Sequence, residues 1–230
     1  MNRLIIVDQE KGGLWKTFLT VHLKTFLDSN GIVYRPVDFD YVQGLLVRIF
    51  PPPVSANISP NPVKLLTGES ALMQLMHRAL AGDRFIVDCG ANTGVTWETL
   101  FTEVWPNLRD EMRAADLKLT IVVPFDADEK CMDSYLKYKE LFPEATIVLA
   151  VIRSFKTQTV KLPEHPRELT IEPPRAPAHL FEAYRTHALT IDAIAKMGTD
   201  DKSIGLDVGF ARAYLPELHK EFKKILSHLI

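Results

Sequence analysis

A glycine-containing turn near the amino terminus constrains the fold of this chain more than any other feature. Residues 8–17 read DQEKGGLWKT, and they follow the apolar, β-branched run of residues 3–7. Residues 18–29 after the turn carry apolar side chains at helical spacing. A strand, a glycine turn, Lys16-Thr17 and a helix are the local order that a phosphate-binding loop requires. In such a loop the backbone N–H groups face the phosphates, the lysine reaches the outer phosphates and the hydroxyl binds Mg²⁺.

The loop departs from the usual pattern G-x-x-x-x-G-K-[ST], because Glu10 and Trp15 occupy the two flanking glycine positions. Glycine adopts φ values that are costly to other residues and lets the backbone approach phosphates closely. Glu10 would place a carboxylate near the phosphates, where like charges repel. The indole of Trp15 has three alternatives: filling an empty phosphate site, exposure on a partner-facing surface, or folding back onto the following helix. For the whole stretch, the alternative is a lysine-rich turn whose glycines only make the bend.

Composition favours one α/β domain spanning residues 1–230. The chain has 230 residues, of which 47% are hydrophobic, and this is enough for a sizeable core. Its net charge of -2 argues against a strongly basic nucleic-acid-binding module. Cys89 and Cys131 form neither a disulfide framework nor a zinc pattern, so we expect a reducing, cytoplasmic setting. We expect neither an export signal nor a membrane span, because no apolar run approaches roughly 18 residues.

Strand-like and helix-like segments alternate along the chain. Short apolar runs predict strands at residues 3–7, 32–37, 84–88, 117–123 and 145–152, with a weaker one at 168–171. Helical spacing predicts helices at residues 16–29, 67–81, 96–115 (interrupted near Pro106), 129–141, 179–186, 190–196 and 207–228, with Pro216 starting or kinking the last piece. The alternation predicts a three-layer P-loop NTPase-like α/β fold, with a mainly parallel sheet covered by helices on both faces.

Two segments do not fit the simple alternation. Residues 51–62 are rich in proline, and we interpret them as a surface excursion within the domain. Residues 206–230 form a C-terminal helical segment whose apolar residues share one face, with Lys220, Lys223 and Lys224 nearby. Such a helix can lie on an anionic membrane, but packing on its own domain is the more common role. Three lysines without interleaved aromatic residues give little support for DNA contact.

Aspartates end the second and third predicted strands. Asp38 and Asp40 follow the second strand, and Asp88 ends the third. The carboxyl ends of parallel strands form the ligand-binding edge of an open α/β sheet, so these carboxylates are candidates for a binding site. The alternative is that they are solvated loop carboxylates.

Together these pieces resemble the ParA/MinD group of P-loop ATPases, which carry a deviant Walker A motif. Residues 11–17, KGGLWKT, are similar to that family's K-G-G-x-G-K-[ST]. Residues 37–40, VDFD, are similar to the D-x-D segment of its switch I, and residues 85–88, FIVD, to its Walker-B-type strand. Residues 189–194, LTIDAI, bear a looser resemblance to the ParA-like proteins of conjugative plasmid transfer.

The resemblance implies an ATP- and Mg²⁺-dependent homodimer. In the family, the lysine at the position of Lys11 reaches the partner's nucleotide across the dimer interface. The lysine at Lys16 binds the β- and γ-phosphates, and the hydroxyl at Thr17 coordinates Mg²⁺. The implied nucleotide-binding residues are Lys11, Gly12, Gly13, Leu14, Trp15, Lys16, Thr17 and Arg153.

The aspartates and one arginine complete the implied site. Asp40 helps to position the attacking water, which makes Lys11, Lys16 and Asp40 the implied catalytic residues. Asp38 and Asp88 support the metal shell together with Thr17. Arg153 stands where the family has an adenine-contacting asparagine.

The function that the resemblance implies is a nucleotide-dependent switch with weak ATPase activity. Such a protein positions DNA, a transfer apparatus or another cargo, through a cargo or adaptor protein. The alternative is a non-catalytic relative that keeps the scaffold and acts as an interaction protein, for which Glu10 and Trp15 are the supporting features. A third alternative is an enzyme that uses the loop for another phosphate-bearing substrate.

Overall fold

The structure is a computed structural model that describes residues 2–10, 15–39, 45–50, 71–90, 97–126, 129–152, 162–197 and 205–230. The strands in this part of the chain are β1 (Asn2–Val7), β2 (Arg35–Phe39), β3 (Phe85–Cys89), β4 (Leu117–Phe125), β5 (Thr146–Val151) and β6 (Thr170–Ile171). The α-helices are α1 (Lys16–Ser29), α2 (Leu45–Ile49), α3 (Ala71–Leu80), α4 (Leu108–Ala114), α5 (Glu129–Leu141), α6 (Ala178–His187), α7 (Ile191–Lys196) and α8 (Gly205–Ile225). A π-helical turn (Leu100–Val104) precedes α4, and 3₁₀ turns lie at Arg167–Leu169 and Leu226–His228.

The six strands form one parallel sheet in the order β2-β3-β1-β4-β5-β6. β1 lies in the middle, where Ile6 is aligned with Val87 of β3 and with Ile121 of β4. From β1 the chain first forms the β2–β3 side of the sheet and then crosses to β4 and the other side. In open parallel sheets, ligands bind beyond the carboxyl ends of the strands at such a reversal. The residues that follow β1 therefore occupy the ligand-binding position of this fold.

Helices cover both faces of the sheet, which confirms the predicted three-layer α/β fold. Successive residues of β1 point to opposite faces, so Ile6 joins one core cluster and Ile5 joins the other. The Ile6 cluster contains residues of α3, the π-helical turn, α4 and α5. The Ile5 cluster contains residues of α1, α2, α6, α7 and α8.

Helix α1 begins and ends at the predicted residues, 16 and 29. Its carboxyl end is closed by two backbone hydrogen bonds, from Ile32 N–H to the Leu27 carbonyl (2.9 Å) and from Gly31 N–H to the Asp28 carbonyl (3.0 Å). This pairing is a Schellman motif, and Gly31 has the positive φ of 72° that it requires. The local sequence thus determines where this helix stops.

Strand β2 differs from its predicted bounds, because its pairing begins at Arg35 and continues to Phe39 instead of covering residues 32–37. The reason is its neighbour: β2 pairs with β3, and the first aligned pair is Arg35 with Phe85. Asp38 therefore lies inside the strand and not in a loop after it. β3 likewise continues one residue past Asp88.

Helix α8 runs continuously through Pro216, so of the two alternatives for this proline the start of a helix is wrong, and a kink stays a prediction. Its apolar side, including Leu218 and Phe222, is buried in the Ile5 cluster, as expected for a helix that packs on its own domain. After α8, the Leu229 carbonyl accepts a hydrogen bond (2.6 Å) from the hydroxyl of Tyr34, the residue before β2. In the part of the chain that the structure describes, no helix is both long and apolar enough to cross a membrane. The proline-rich residues 51–62 lie outside the described residues.

Candidate functional site

The carboxyl end of β1 leads into two fully buried polar residues, Asp8 and Gln9. The N–H of Asp8 donates to the Val122 carbonyl (3.1 Å), and the side-chain amide of Gln9 donates to the Pro124 carbonyl (3.2 Å). These bonds to β4 fix the chain just before the predicted loop. The loop residues Lys11, Gly12, Gly13 and Leu14 lie outside the described residues, so their roles stay predictions.

Lys16 is the first residue of α1, and its side chain turns back towards the end of β1. Its Nζ donates a hydrogen bond of 2.8 Å to the Gln9 carbonyl, and only 8% of the residue is exposed. A helix N-terminus carries a partial positive charge of about half an elementary charge. A lysine held at the same end adds a full charge, so this end of α1 favours an anion. Thr17 follows Lys16 and is partly buried.

Asp38 and Asp88 lie side by side on β2 and β3. They are aligned in register, and both are buried. Adjacent strands are about 4.8 Å apart, so the two carboxylates are neighbours. Because Val87 belongs to the Ile6 cluster, Asp88 one residue later faces the α1 layer. The hydroxyl of Thr20 on α1 lies 3.4 Å from Oδ1 of Asp88, which connects this helix to the aspartate pair.

The oxygen atoms of this aspartate pair fit Mg²⁺ in combination with a phosphate ligand. Two buried carboxylates side by side repel each other, and a nearby cation stabilises their charged forms. Asp38, Asp88 and the hydroxyl of Thr17 are oxygen ligands of the type that Mg²⁺ prefers. Among the described residues no group of three His, Cys, Asp or Glu side chains could hold a metal ion. A metal ion here would need further oxygen ligands, and Mg²⁺ commonly takes them from substrate phosphates and water.

Asp8 points to the opposite face of the sheet from the aspartate pair and contacts α5. Its Oδ2 accepts a hydrogen bond from the Tyr138 hydroxyl (2.7 Å), and its Oδ1 accepts one from the Gln9 N–H (2.8 Å). Burial raises the pKa of Asp8 from 3.8 to about 6, although the bond from Tyr138 and the charge of Lys16 partly oppose this shift. The carboxyl group therefore changes its charge near pH 6, directly next to the loop.

Glu10 forms an ion pair with α5 at the start of the loop. Its Oε1 lies 3.2 Å from Nζ of Lys137, which also lies 2.8 Å from Oε2 of Glu98. The hydrogen bond that Lys137 donates to Glu98 raises the pKa of Lys137 most, and Glu10 adds to the shift. The expected repulsion between Glu10 and a phosphate is therefore reduced by a neighbouring positive charge.

Trp15 adopts the left-handed conformation just before α1, with φ 54° and ψ 20°. Its ring stacks on Phe181 of α6, with centroids 5.3 Å apart and planes at 21°. It also meets the edge of Phe18 in α1, at 4.9 Å and 63°. Of the three alternatives, the structure supports the ring folded back onto the following helix. Trp15 thus keeps a backbone conformation that favours glycine, and packing holds its side chain on the α1 face.

Besides the four loop residues, two further predicted site residues, Asp40 and Arg153, lie outside the described residues. Ile152, the last described residue after β5, donates its N–H to the Phe125 carbonyl (2.7 Å). The structure brings Lys16, Asp38 and Asp88 to the same carboxyl edge of the sheet. The roles of Asp40 and Arg153 stay predictions.

Sequence reasoning did not assign roles to Asp8, Thr20, Lys137 or Tyr138. The sequence position of Thr20 could have indicated a role at the site, since it lies one helical turn after Lys16 and on the same face of α1. The position of Asp8 could have done so too, because it directly follows the central strand. Lys137 and Tyr138 carry no such indication: they lie more than a hundred residues from Glu10 and Asp8, on a helix with no motif.

The sequence matches no protein-family model and no curated protein. Solved structures do match over the whole chain. A protein of Borrelia burgdorferi B31 assigned to plasmid partition and bound to AMPPNP is 14% identical, covers 100% of both chains and has a TM-score of 0.57. The septum site-determining protein MinD of Pyrococcus horikoshii OT3, complexed with Mg-ADP, is 13% identical, covers 100% of this chain and 99% of that one, and has a TM-score of 0.52.

These likenesses define the class of fold. The six-stranded parallel sheet with helices on both faces is the P-loop NTPase-like α/β fold of these two structures. Both neighbouring structures hold an adenine nucleotide, and the MinD structure also holds magnesium. At 13–14% identity the likeness establishes the fold, while the chemistry of this chain has to be argued from its own residues.

Proposed function

We propose that this protein binds ATP with Mg²⁺ and acts as a ParA/MinD-like dimerisation switch with weak ATPase activity. The observation that carries the proposal is the position of Lys16. Its ammonium group is held at the positive end of α1, beyond the carboxyl end of the central strand. Asp38 and Asp88, buried on the α1 face of the sheet, supply the acidic half of the site.

The proposed chemistry divides between phosphate binding and metal binding. Mg²⁺ neutralises phosphate charge and orients the reacting groups when it is bound. Lys16 binds the terminal phosphates, and Thr17 holds the metal shell together with Asp38 and Asp88. Asp40 orients the attacking water. Phosphoryl transfer depends mainly on positioning and charge neutralisation, which these groups are suited to supply.

The proposed switch is a homodimer whose interface depends on the nucleotide. Lys11 of each subunit contacts the nucleotide of its partner, with Gly12, Gly13 and Leu14 shaping the loop and Arg153 beside the base. The dimer positions DNA, a transfer apparatus or another cargo in the cytoplasm through a cargo or adaptor protein. Support comes from the two structural neighbours, which are named for plasmid partition and for septum site determination.

The second candidate is a non-catalytic protein that uses the same scaffold for interactions. Trp15 favours this candidate, because it replaces the glycine that normally precedes the lysine of the loop. The ring of Trp15 also packs against α6. The bond from Lys16 to the Gln9 carbonyl also gives the lysine a partner without any phosphate. The two candidates differ in whether the protein binds and hydrolyses ATP.

Calorimetric titration of ATP·Mg²⁺ into the protein separates them. At about 100 µM protein, affinities as weak as about millimolar give a signal. We expect wild-type protein to bind, and Lys16→Ala to bind at least about 10-fold more weakly, since a hydrogen bond to a charged group contributes about 1.5–3 kcal/mol. Lys118→Ala is the matched control, because Lys118 is exposed near the start of β4, at the opposite edge of the sheet.

The outcomes distinguish all the alternatives. No heat with wild-type protein, or equal binding by Lys16→Ala, would refute ATP binding at this loop. Binding without phosphate release above the Lys16→Ala background would leave the non-catalytic candidate. If the protein binds but stays monomeric with AMPPNP·Mg²⁺ in analytical ultracentrifugation, the dimer switch is wrong. Preferential binding of a phosphate compound other than ATP would favour the third alternative, an enzyme that acts on a different phosphate-bearing substrate.

A further inference from the structure

Trp15 occupies a backbone conformation that disfavours its own side chain. Among the described residues, three that are not glycine have positive φ: Trp15 (54°), Asp116 (47°) and Ala188 (49°). For an L-residue this left-handed conformation is unfavourable, because Cβ comes too close to the carbonyl oxygen that follows. Trp15 is the largest of the three, and the cost has to be offset by interactions of its side chain.

Four aromatic rings supply these interactions. We call them the aromatic latch: Trp15, Phe18 of α1, Phe181 of α6 and Tyr214 of α8. Trp15 stacks on Phe181 and meets the edge of Phe18, while Phe18 contacts Phe181 at 5.8 Å and Tyr214 at 6.3 Å between centroids. Stacked and edge-to-face aromatic pairs attract each other beyond the effect of their burial. The two pairs that include Trp15 therefore oppose the backbone cost.

The latch acts on the backbone from which Lys16 extends. Trp15 is the residue before α1, and its carbonyl accepts the first helical hydrogen bond, from the Leu19 N–H at 2.9 Å. The next residue is Lys16, whose Nζ is held 2.8 Å from the Gln9 carbonyl. A change in the Trp15 backbone would therefore move the ammonium group and the N-terminus of α1 together.

We propose that Trp15 is a positioning residue for the anion site at Lys16, and that the aromatic latch couples this site to helix α6. A glycine at position 15 would adopt the left-handed turn as only one of several conformations. The stacking of Trp15 on Phe181 holds the backbone in this single conformation. Since coupling between two sites is reciprocal, a partner that displaced α6 would weaken anion binding, and a bound anion would hold α6 in place. This inference rests on the proposed binding of ATP at Lys16.

A double-mutant cycle with Trp15→Gly and Phe181→Leu tests the coupling by ATP·Mg²⁺ calorimetry. We expect Phe181→Leu to weaken binding about 2- to 10-fold, the range that corresponds to the loss of one aromatic pair. In the Trp15→Gly background, Phe181→Leu should have no further effect on ATP affinity, because its remaining contact with Phe18 does not involve the backbone of residue 15. Phe181→Tyr keeps a stacking ring and should bind as the wild type does.

Phe26→Leu is the matched control for core destabilisation. Phe26 also lies in α1, but it packs on His219 and Phe222 of α8, away from the loop. We expect it to lower the free energy of unfolding without changing ATP affinity. A readout specific to the latch is the fluorescence emission of Trp15, obtained by subtracting the spectrum of Trp15→Phe from that of the wild type. This emission should change when ATP·Mg²⁺ is added.

The possible failures are distinguishable. If the wild type binds no ATP, the proposed function fails and the latch loses its role. If the wild type binds and Phe181→Leu binds equally well, or weakens binding to the same extent with and without Trp15, the coupling is refuted while the proposed function stands. Tighter binding by Trp15→Gly would show that the ring obstructs the site, and this would also overturn the inference.

Discussion

Replacing Asp8 with asparagine should change how the stability of the protein depends on pH. Asp8 is fully buried, and burial raises its pKa from 3.8 to about 6 in the folded state. The folded protein therefore binds this proton more tightly than the unfolded chain does. The resulting stabilisation is fully present below about pH 4 and is lost as the pH rises through about 6. A shift of roughly two units corresponds to about 3 kcal/mol in total, of which about 1.3 kcal/mol falls between pH 5 and pH 7.

Urea unfolding followed by circular dichroism at pH 5, 6, 7 and 8 measures this effect. The free energy of unfolding of Asp8→Asn should rise relative to that of wild-type protein by about 1.3 kcal/mol between pH 5 and pH 7, and level off above that. The difference between the two proteins isolates Asp8 from all other titrating groups. Asp133→Asn, at an exposed position on α5, is the control for the same chemical change outside the core.

A second variant tests the assigned cause. Tyr138→Phe removes the hydrogen bond to Oδ2 of Asp8, which favours the ionised carboxylate. Its destabilisation should be larger at pH 8 than at pH 5, by about 1 kcal/mol, because the bond is stronger to the charged form. If the wild-type and Asp8→Asn curves run parallel from pH 5 to pH 8, the raised pKa of Asp8 is refuted.

Two further predictions concern stability away from the site. Ala188 follows α6 with φ 49°, so Ala188→Gly should raise the free energy of unfolding by about 0.5–1 kcal/mol in urea titration, and an unchanged value would contradict the strain at this position. Leu218→Ala should lower it by about 2–5 kcal/mol, since Leu218 is 0% exposed in the Ile5 cluster. Leu136→Ala, at a position that is 52% exposed on α5, should change it by less than about 0.5 kcal/mol, and equal losses in both variants would refute the described burial.

Local sequence determined much of the scaffold. The bounds of α1 follow from apolar spacing together with the Asn30-Gly31 stop, and the structure has them at residues 16–29. The alternation of strands and helices determined the layered parallel fold, because a parallel sheet needs a crossover between its strands. The positions of Lys16, Asp38 and Asp88 followed from the order of the motifs along the chain. These features depend on residues within a few positions of one another, which is why a single sequence reveals them.

Only the tertiary structure decided which side chains meet around the loop. Tyr138 donates to Asp8 across 130 positions, and Lys137 reaches Glu10 across 127. No local pattern encodes these contacts, since they depend on how α5 packs over the sheet. The start of β2 was likewise set by where its partner β3 begins. Trp15 is the sharpest case: its sequence position left three alternatives open for the ring, and its packing on Phe181 of a distant helix supports the one folded back onto α1. Backbone periodicity depends on residues that are close in the sequence. The direction of a side chain also depends on residues that are distant in the sequence and become its neighbours only on folding.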